Sequence, residues 1–289
     1  MHRVEFSGTA GNRLVGDLHE GEEGRGPVVL LLHGGGQTRY AWEETAARLA
    51  REGLRAIALD QRGHGDSEWV EGGDYTFADY AADLVAVAGQ IAQRYGSAPI
   101  VIGASLGGIS GMLAEGESDG SLLSALILVD IVPRLDPNGV ARITGFMRDR
   151  MEEGFASIDE AADAVAAYLP NRERPRSLEG LRKNLRLHDD GRYRWHWDPR
   201  FLSGPRSVAN EPADMEARML DAVRHIHVPV LLVRGGRSEL VSEDHAREFL
   251  ELVPQADYAD VSGAGHMVAG DRNDVFADAV VEFLRKILV

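Results

Sequence analysis

The run Ile100-Val101-Ile102-Gly103-Ala104-Ser105-Leu106-Gly107-Gly108 constrains this chain more than any other stretch. An apolar segment that ends abruptly in Gly-x-Ser-x-Gly is the pattern of a nucleophile elbow, a tight strand-to-helix turn that lifts one serine hydroxyl above a sheet edge. Gly103 and Gly107 have a steric reason to be there, because such a turn crowds the positions two residues to either side of a strained serine. A helix that starts at the serine aims its free N–H groups and its dipole at any negative charge that develops there. In a chain with 33 glycines the five-residue pattern says little alone, so its meaning rests on its surroundings.

Those surroundings alternate between strand and helix. Residues 3–7 and 13–19 read as short antiparallel edge strands, with a turn at Gly11-Asn12. Val28 to Leu32 is a continuous apolar run, as a strand covered on both faces requires, and it breaks at His33-Gly34-Gly35-Gly36. Helical spacing follows over 39–52, then an apolar strand over 54–59 that ends in Asp60-Gln61-Arg62-Gly63-His64-Gly65-Asp66-Ser67. Residues 76–95 are helical, the elbow strand and its helix follow, and 122–129 is another apolar strand. After Pro133 the rhythm fails. Residues 134–225 show no buried-strand pattern, only charged, helix-like segments broken by prolines that include Pro170 and Pro175, and the length is too great for a loop. The rhythm resumes with a strand at 228–233, a helix near 242–252, a strand at 258–261 and a last helix from about 273 to 288. The expected architecture is an α/β fold: a core from 1–133 and 226–289 around a mostly parallel sheet, with an inserted helical cap over 134–225.

Composition narrows the function classes. Forty-six acidic against 31 basic residues give a formal charge of −15, which disfavours nucleic acid or an anionic membrane as partner. The absence of cysteine excludes disulfides, thiolate metal sites and a cysteine nucleophile. No apolar run reaches the length of a membrane span and no signal-peptide pattern opens the chain, so a cytoplasmic location is expected, as a monomer or homodimer. No metal-ligand spacing or phosphate-cradling motif is present, and the expected chemistry needs no cofactor.

Four segments, in order, resemble the α/β-hydrolase superfamily and its capped serine hydrolase branch, which holds epoxide-hydrolase-like, haloperoxidase-like and carbon–carbon-bond hydrolase-like enzymes. They are His33-Gly34-Gly35 with Trp42 downstream, Asp60 to Ser67, the elbow, and Gly263-Ala264-Gly265-His266-Met267 before the last helix. The resemblance implies an eight-stranded sheet, Ser105 as nucleophile and His266 as its base, because a serine hydroxyl needs an adjacent group to take its proton. It also implies a carboxylate that orients the base. The family usually supplies it as Gly-x-x-Asp after the next-to-last strand, where this chain has Gly236-Arg237-Ser238-Glu239. Glu239 is the preferred acid and Asp130, at the end of the preceding strand, the alternative.

The oxyanion donors implied are the N–H groups of Leu106 and Gly35. Gly35 lacks the bulk that relatives carry there, so a roomier pocket is expected. Gly36, Met267, Trp195 and Trp197 are candidate substrate contacts. Tyr193, Trp195 and Trp197 alternate, which places their rings on one face of an extended segment, either lining an apolar tunnel or forming the core of the cap. Asp60 to Ser67 is expected to brace the sheet top, with His33 and His64 bracing loops. A serine argues against epoxide hydrolysis and dehalogenation, which use a carboxylate nucleophile. The reading is acyl-enzyme hydrolysis of a small carboxylic ester or lactone. Cleavage of a vinylogous diketone, peracid formation by the same triad, and a ligand sensor that keeps the triad are alternatives.

Overall fold

The computed structural model describes residues 1–21, 24, 26–169, 177–271 and 273–288. The strands are β1 (His2–Ser7), β2 (Arg13–Glu20), β3 (Val28–Leu32), β4 (Arg55–Leu59), β5 (Ile100–Ala104), β6 (Ala125–Val129), β7 (Leu185–Leu187), β8 (Tyr193–Trp195), β9 (Val230–Gly235) and β10 (Ala256–Val261). The helices of the core are α1 (Glu43–Arg51), α2 (Phe77–Tyr95) and α3 (Leu106–Gly116). The inserted segment carries α4 (Pro137–Arg148), α5 (Ile158–Tyr168), α6 (Glu179–Arg182), α7 (Arg200–Ser203) and α8 (Met215–Arg224). The chain ends with α9 (Glu243–Leu252), α10 (Val268–Asp271) and α11 (Asn273–Ile287).

One eight-stranded sheet runs β1-β2-β4-β3-β5-β6-β9-β10. Its first two strands are antiparallel and every pair from β4 to β10 is parallel, as the unbroken apolar runs predict. Period-two alternation sends the two halves of each run to opposite faces. Leu30, Leu32, Val101, Leu126, Leu128 and Leu232 pack under α2, α3, α8 and α9. Val29, Leu31, Ile102, Ile127, Leu231 and Val233 pack under α1 and α11. The strand expected to start at 122 starts at Ala125. The buried Glu115 carboxylate accepts the N–H groups of Leu122 (3.1 Å) and Leu123 (2.9 Å), which holds those residues out of the ladder.

The inserted segment departs from the purely helical expectation in having an antiparallel pair, β7 with β8. Both strands are three residues long and lie largely outside the main cores, too short for an apolar alternation to show. The segment also returns to the core before residue 225. Met215, Met219, Ala222 and Val223 of α8 belong to the same buried cluster as α3, and a Cβ at Gly116 would run into the Ala222 carbonyl. Pro170 and Pro175 lie outside the described residues.

The parallel strands deliver their C-terminal ends to one edge, and two of the turns there are strained. Among the described residues positive φ occurs at Ser105 (46°), Asp130 (52°) and Arg150 (58°) outside glycine, and the first two directly follow the neighbouring strands β5 and β6. A Cβ at Gly103 would run into the Gly107 carbonyl, and one at Gly107 into the Leu32 carbonyl. Gly107→Ala is therefore expected to cost roughly 1–3 kcal/mol through overpacking. Gly89→Ala, on α2 with open space around it, is expected to be neutral or stabilising by up to about 1 kcal/mol. Thermal midpoints of the two variants check both.

Candidate active site

Ser105 caps the N-terminus of α3 in a conformation that only a tight turn imposes, with its N–H on the Val129 carbonyl at 3.4 Å. The glycine loop after β3 lies against it: a Cβ built on Gly34 would sit 3.4 Å from the Ser105 Cβ. Across the strand ends, Asp130 is fully buried. Its Oδ1 accepts the Gly235 N–H at 2.8 Å, and its Oδ2 accepts both the Ser238 hydroxyl at 2.5 Å and His266 Nδ1–H at 2.7 Å. With Nδ1 donating to a carboxylate, the lone pair of His266 sits on Nε2, the tautomer a general base needs.

The expectation that Glu239 meets the histidine is corrected by this geometry. The carboxylate hydrogen-bonded to His266 is Asp130, the alternative. Ser238 turns its hydroxyl to Asp130 while also accepting the N–H groups of Leu240 and Val241, each at 3.0 Å, and this tight loop carries Glu239 elsewhere. The Glu239 backbone carbonyl lies where a side chain at Gly139 would go. Its charge acts on Tyr168, whose hydroxyl is pushed up to about 12 by burial first and by Glu239 second.

The hydrogen-bond inventory also sorts the glycine loop. Gly34 N–H donates to Gln37 Oε1 at 3.1 Å and Gly36 N–H to His64 Nε2 at 3.1 Å. Among the described residues, the N–H groups of Gly35 and Leu106 have no partner, which leaves them available to an oxyanion. Gly36, with φ 78°, lies beside Met147 and Trp197 Nε1.

The roomier pocket expected from Gly35 is not empty space. A Cβ at Gly35 would meet Phe201 Cζ at 2.9 Å, with Met147 Cε at 3.7 Å. Phe201 and Met147 fill the volume the glycine vacates. Phe201 was not singled out in the sequence, and the four-residue helix α7 gives no pattern that would have done so. Its position is fixed by stitching between residues 196–198 and the segment from Gly63 to Tyr75. Gly65 N–H donates to the His196 carbonyl (2.8 Å), Asp198 N–H to the Gly63 carbonyl (2.8 Å), and the Tyr75 hydroxyl to Asp198 Oδ2 (2.6 Å). The Asp60 carboxylate holds Arg39, and Arg62 grips Asp83 through two nitrogens, so the Asp60–Ser67 loop braces the sheet top as expected.

The three alternating aromatics do not share one cluster. Tyr193 packs with Phe155, Trp197 joins Phe201, Tyr80 and Leu106 beside the elbow, and Trp195 touches both groups. Met267 is half-buried on the turn after His266 and its carbonyl accepts the Gly270 N–H. Among the described residues no group of three or more His, Asp or Glu is placed to hold a metal, and no helix is long and apolar enough to cross a membrane.

A sequence model of the Alpha/beta hydrolase family matches residues 29–279. The chain belongs to the α/β hydrolase family. This α/β hydrolase is 30% identical to an esterase of Mycobacterium tuberculosis over 272 residues, covering 92% of this chain and 84% of that protein. It is 27% identical to the 2-(acetamidomethylene)succinate hydrolase of Mesorhizobium japonicum over 267 residues, covering 92% and 91%. A crystal structure of an α/β hydrolase from Novosphingobium aromaticivorans superposes with a TM-score of 0.81 at 25% identity, covering 99% of this chain and 98% of that one.

Two histidines of this α/β hydrolase are held neutral. Burial pushes His33 down to about 4 and His64 down to about 3. Each Nδ1–H donates to a carbonyl, Gly34 for His33 and Arg62 for His64, and each Nε2 accepts a backbone N–H, from Gln61 and Gly36 respectively. The unfolded chain takes up a proton on each near pH 6.5 and the folded chain does not. Stability from these groups is therefore complete above pH 6.5 and is lost as pH falls toward 4 and 3, by about 1.4 kcal/mol per pH unit for each. Chemical denaturation between pH 7 and 4.5 should show that decline, with a shallower slope in His64→Asn.

Proposed function

We propose that this protein is a serine esterase that hydrolyses small, uncharged carboxylic esters or lactones through an acyl-enzyme. The observation that carries this reading is the bond from His266 Nδ1 to the buried Asp130 carboxylate beside an elbow serine with φ 46°. Ser105 Oγ attacks the carbonyl carbon and its proton passes to His266 Nε2. The carbonyl oxygen takes the negative charge and is met by the N–H groups of Gly35 and Leu106, each such donor being worth roughly 10²–10³ in rate. Asp130 stabilises the imidazolium, which then gives its proton to the leaving alkoxide. Water, deprotonated by His266, attacks the acyl carbon, and carboxylic acid and free Ser105 result.

An esterase among the relatives agrees with this reading. The cluster of Leu106, Trp197, Phe201 and Met147 beside the elbow supplies apolar walls, which suit an uncharged acyl group.

A fluorophosphonate probe should label the wild-type protein at Ser105 and leave Ser105→Ala unlabelled, with hydrolysis of p-nitrophenyl esters lost in parallel. Absence of labelling in the wild type would remove the esterase reading. Asp130→Asn should lower turnover on the order of 10⁴-fold, by analogy with the serine-protease acid, while Glu239→Gln stays near wild type. Phe201→Ala should raise kcat/KM for long or branched acyl esters relative to acetate by roughly tenfold. An unchanged ratio would place Phe201 outside the acyl pocket.

A further inference from the structure

Asp130 Oδ2 serves two donors at once, His266 Nδ1–H and the Ser238 hydroxyl. A serine hydroxyl has one hydrogen and two lone pairs. At Ser238 the lone pairs are filled by the N–H groups of Leu240 and Val241, so the hydrogen is committed to the carboxylate and the rotor is fixed. Asp130 Oδ1 is held in turn by Gly235 N–H, and the Asp130 N–H by the Val233 carbonyl at 2.7 Å. Without the hydroxyl, Oδ2 would keep the imidazole but lose its tie to the loop after β9, and the carboxylate plane would be held against the imidazole only through Gly235 N–H on Oδ1.

We propose that Ser238 is a positioning residue for the acid: its hydroxyl fixes the plane of the Asp130 carboxylate and tempers the charge that Oδ2 presents to His266. This rests on the catalytic reading of Ser105, His266 and Asp130, because only there does the orientation of the carboxylate affect a rate. Its structural half stands apart from that reading. The hydroxyl donates to the same oxygen that the imidazole uses, so removing it concentrates negative charge on the His266 bond. That bond shortens or reorients, and the Nδ1 proton changes its environment.

The experiment joins kinetics with proton NMR of the full chain. Ser238→Ala should lower kcat for a p-nitrophenyl ester by about tenfold to a hundredfold, the range expected for losing one hydrogen bond to a charged group, with KM within about twofold. Ser238→Thr, which keeps the hydroxyl, should restore most of kcat. The low-field resonance of the His266 Nδ1 proton, assigned by its loss in His266→Gln, should shift in Ser238→Ala and return in Ser238→Thr. Thermal midpoints show whether the alanine chain is folded; should it not fold, Ser238→Gly, which also lacks the hydroxyl, carries the comparison through the same resonance.

A wild-type resonance position and wild-type kcat in Ser238→Ala would overturn the proposal. So would a fall in kcat with an unmoved resonance, which is what simple loosening of the loop gives. If the resonance shifts while the wild type fails to label with fluorophosphonate, the esterase reading falls and the positioning of Asp130 by Ser238 stands.

Discussion

A carboxylate with no exposure to water keeps its charge only where donors replace its hydration, and the arrangement of this site follows from meeting that condition at Asp130. The donors come from three places: the backbone at the end of β9, the loop that follows it, and the turn after β10. Each belongs to a segment that the sheet order puts within two strands of β6, since β6 pairs with β9 and β9 with β10. The imidazole is therefore not placed independently of the fold. It is one of the ligands that a buried charge at a strand end requires. Removing one donor leaves the remainder to hold a charge in a low-dielectric setting, which is why the site responds as a unit.

Strain at the neighbouring residues has the same origin. A non-glycine residue in the left-handed region costs on the order of 1–3 kcal/mol and persists where its surroundings over-determine it. Ser105 and Asp130 adopt it at the ends of adjacent parallel strands, where continuing the ladder would carry both side chains into the packed interior. Turning the backbone at these points directs them along the sheet edge. The glycines of the elbow then follow as a steric consequence, because the turn brings Gly107 against the Leu32 carbonyl and Gly103 against Gly107.

Most of the core was legible because its strands are buried on both faces and therefore written as unbroken apolar runs. Val28 to Leu32 and Ile100 to Ala104 appear where the runs place them. The acid was less legible, because a loop that offers Ser238 and Glu239 in succession does not say which side chain faces the sheet. The opposing signal lay in Leu128-Val129-Asp130, where a carboxylate directly follows a fully buried strand and must have partners. The segment between β6 and β9 was hardest to read. Its two strands have three residues each, and its contact with the site is made by Met147, Trp197 and Phe201, which lie far apart in the chain or on a single helical turn. Such contacts depend on pairing between distant segments, such as Asp198 with Gly63, for which the sequence carries no periodic trace.

The neutral histidines connect this bracing to chemistry. A glycine loop that follows a strand has several amides able to face the elbow, and an anion would compete for all of them. By accepting the Gly36 N–H, His64 takes one amide out of play, and Gln37 takes that of Gly34. What remains is the Gly35 N–H, in a fixed direction. An imidazole does this only while uncharged, since a protonated ring has no lone pair to offer. Burial that drives His64 far below its ordinary range thus keeps the loop in one donor arrangement.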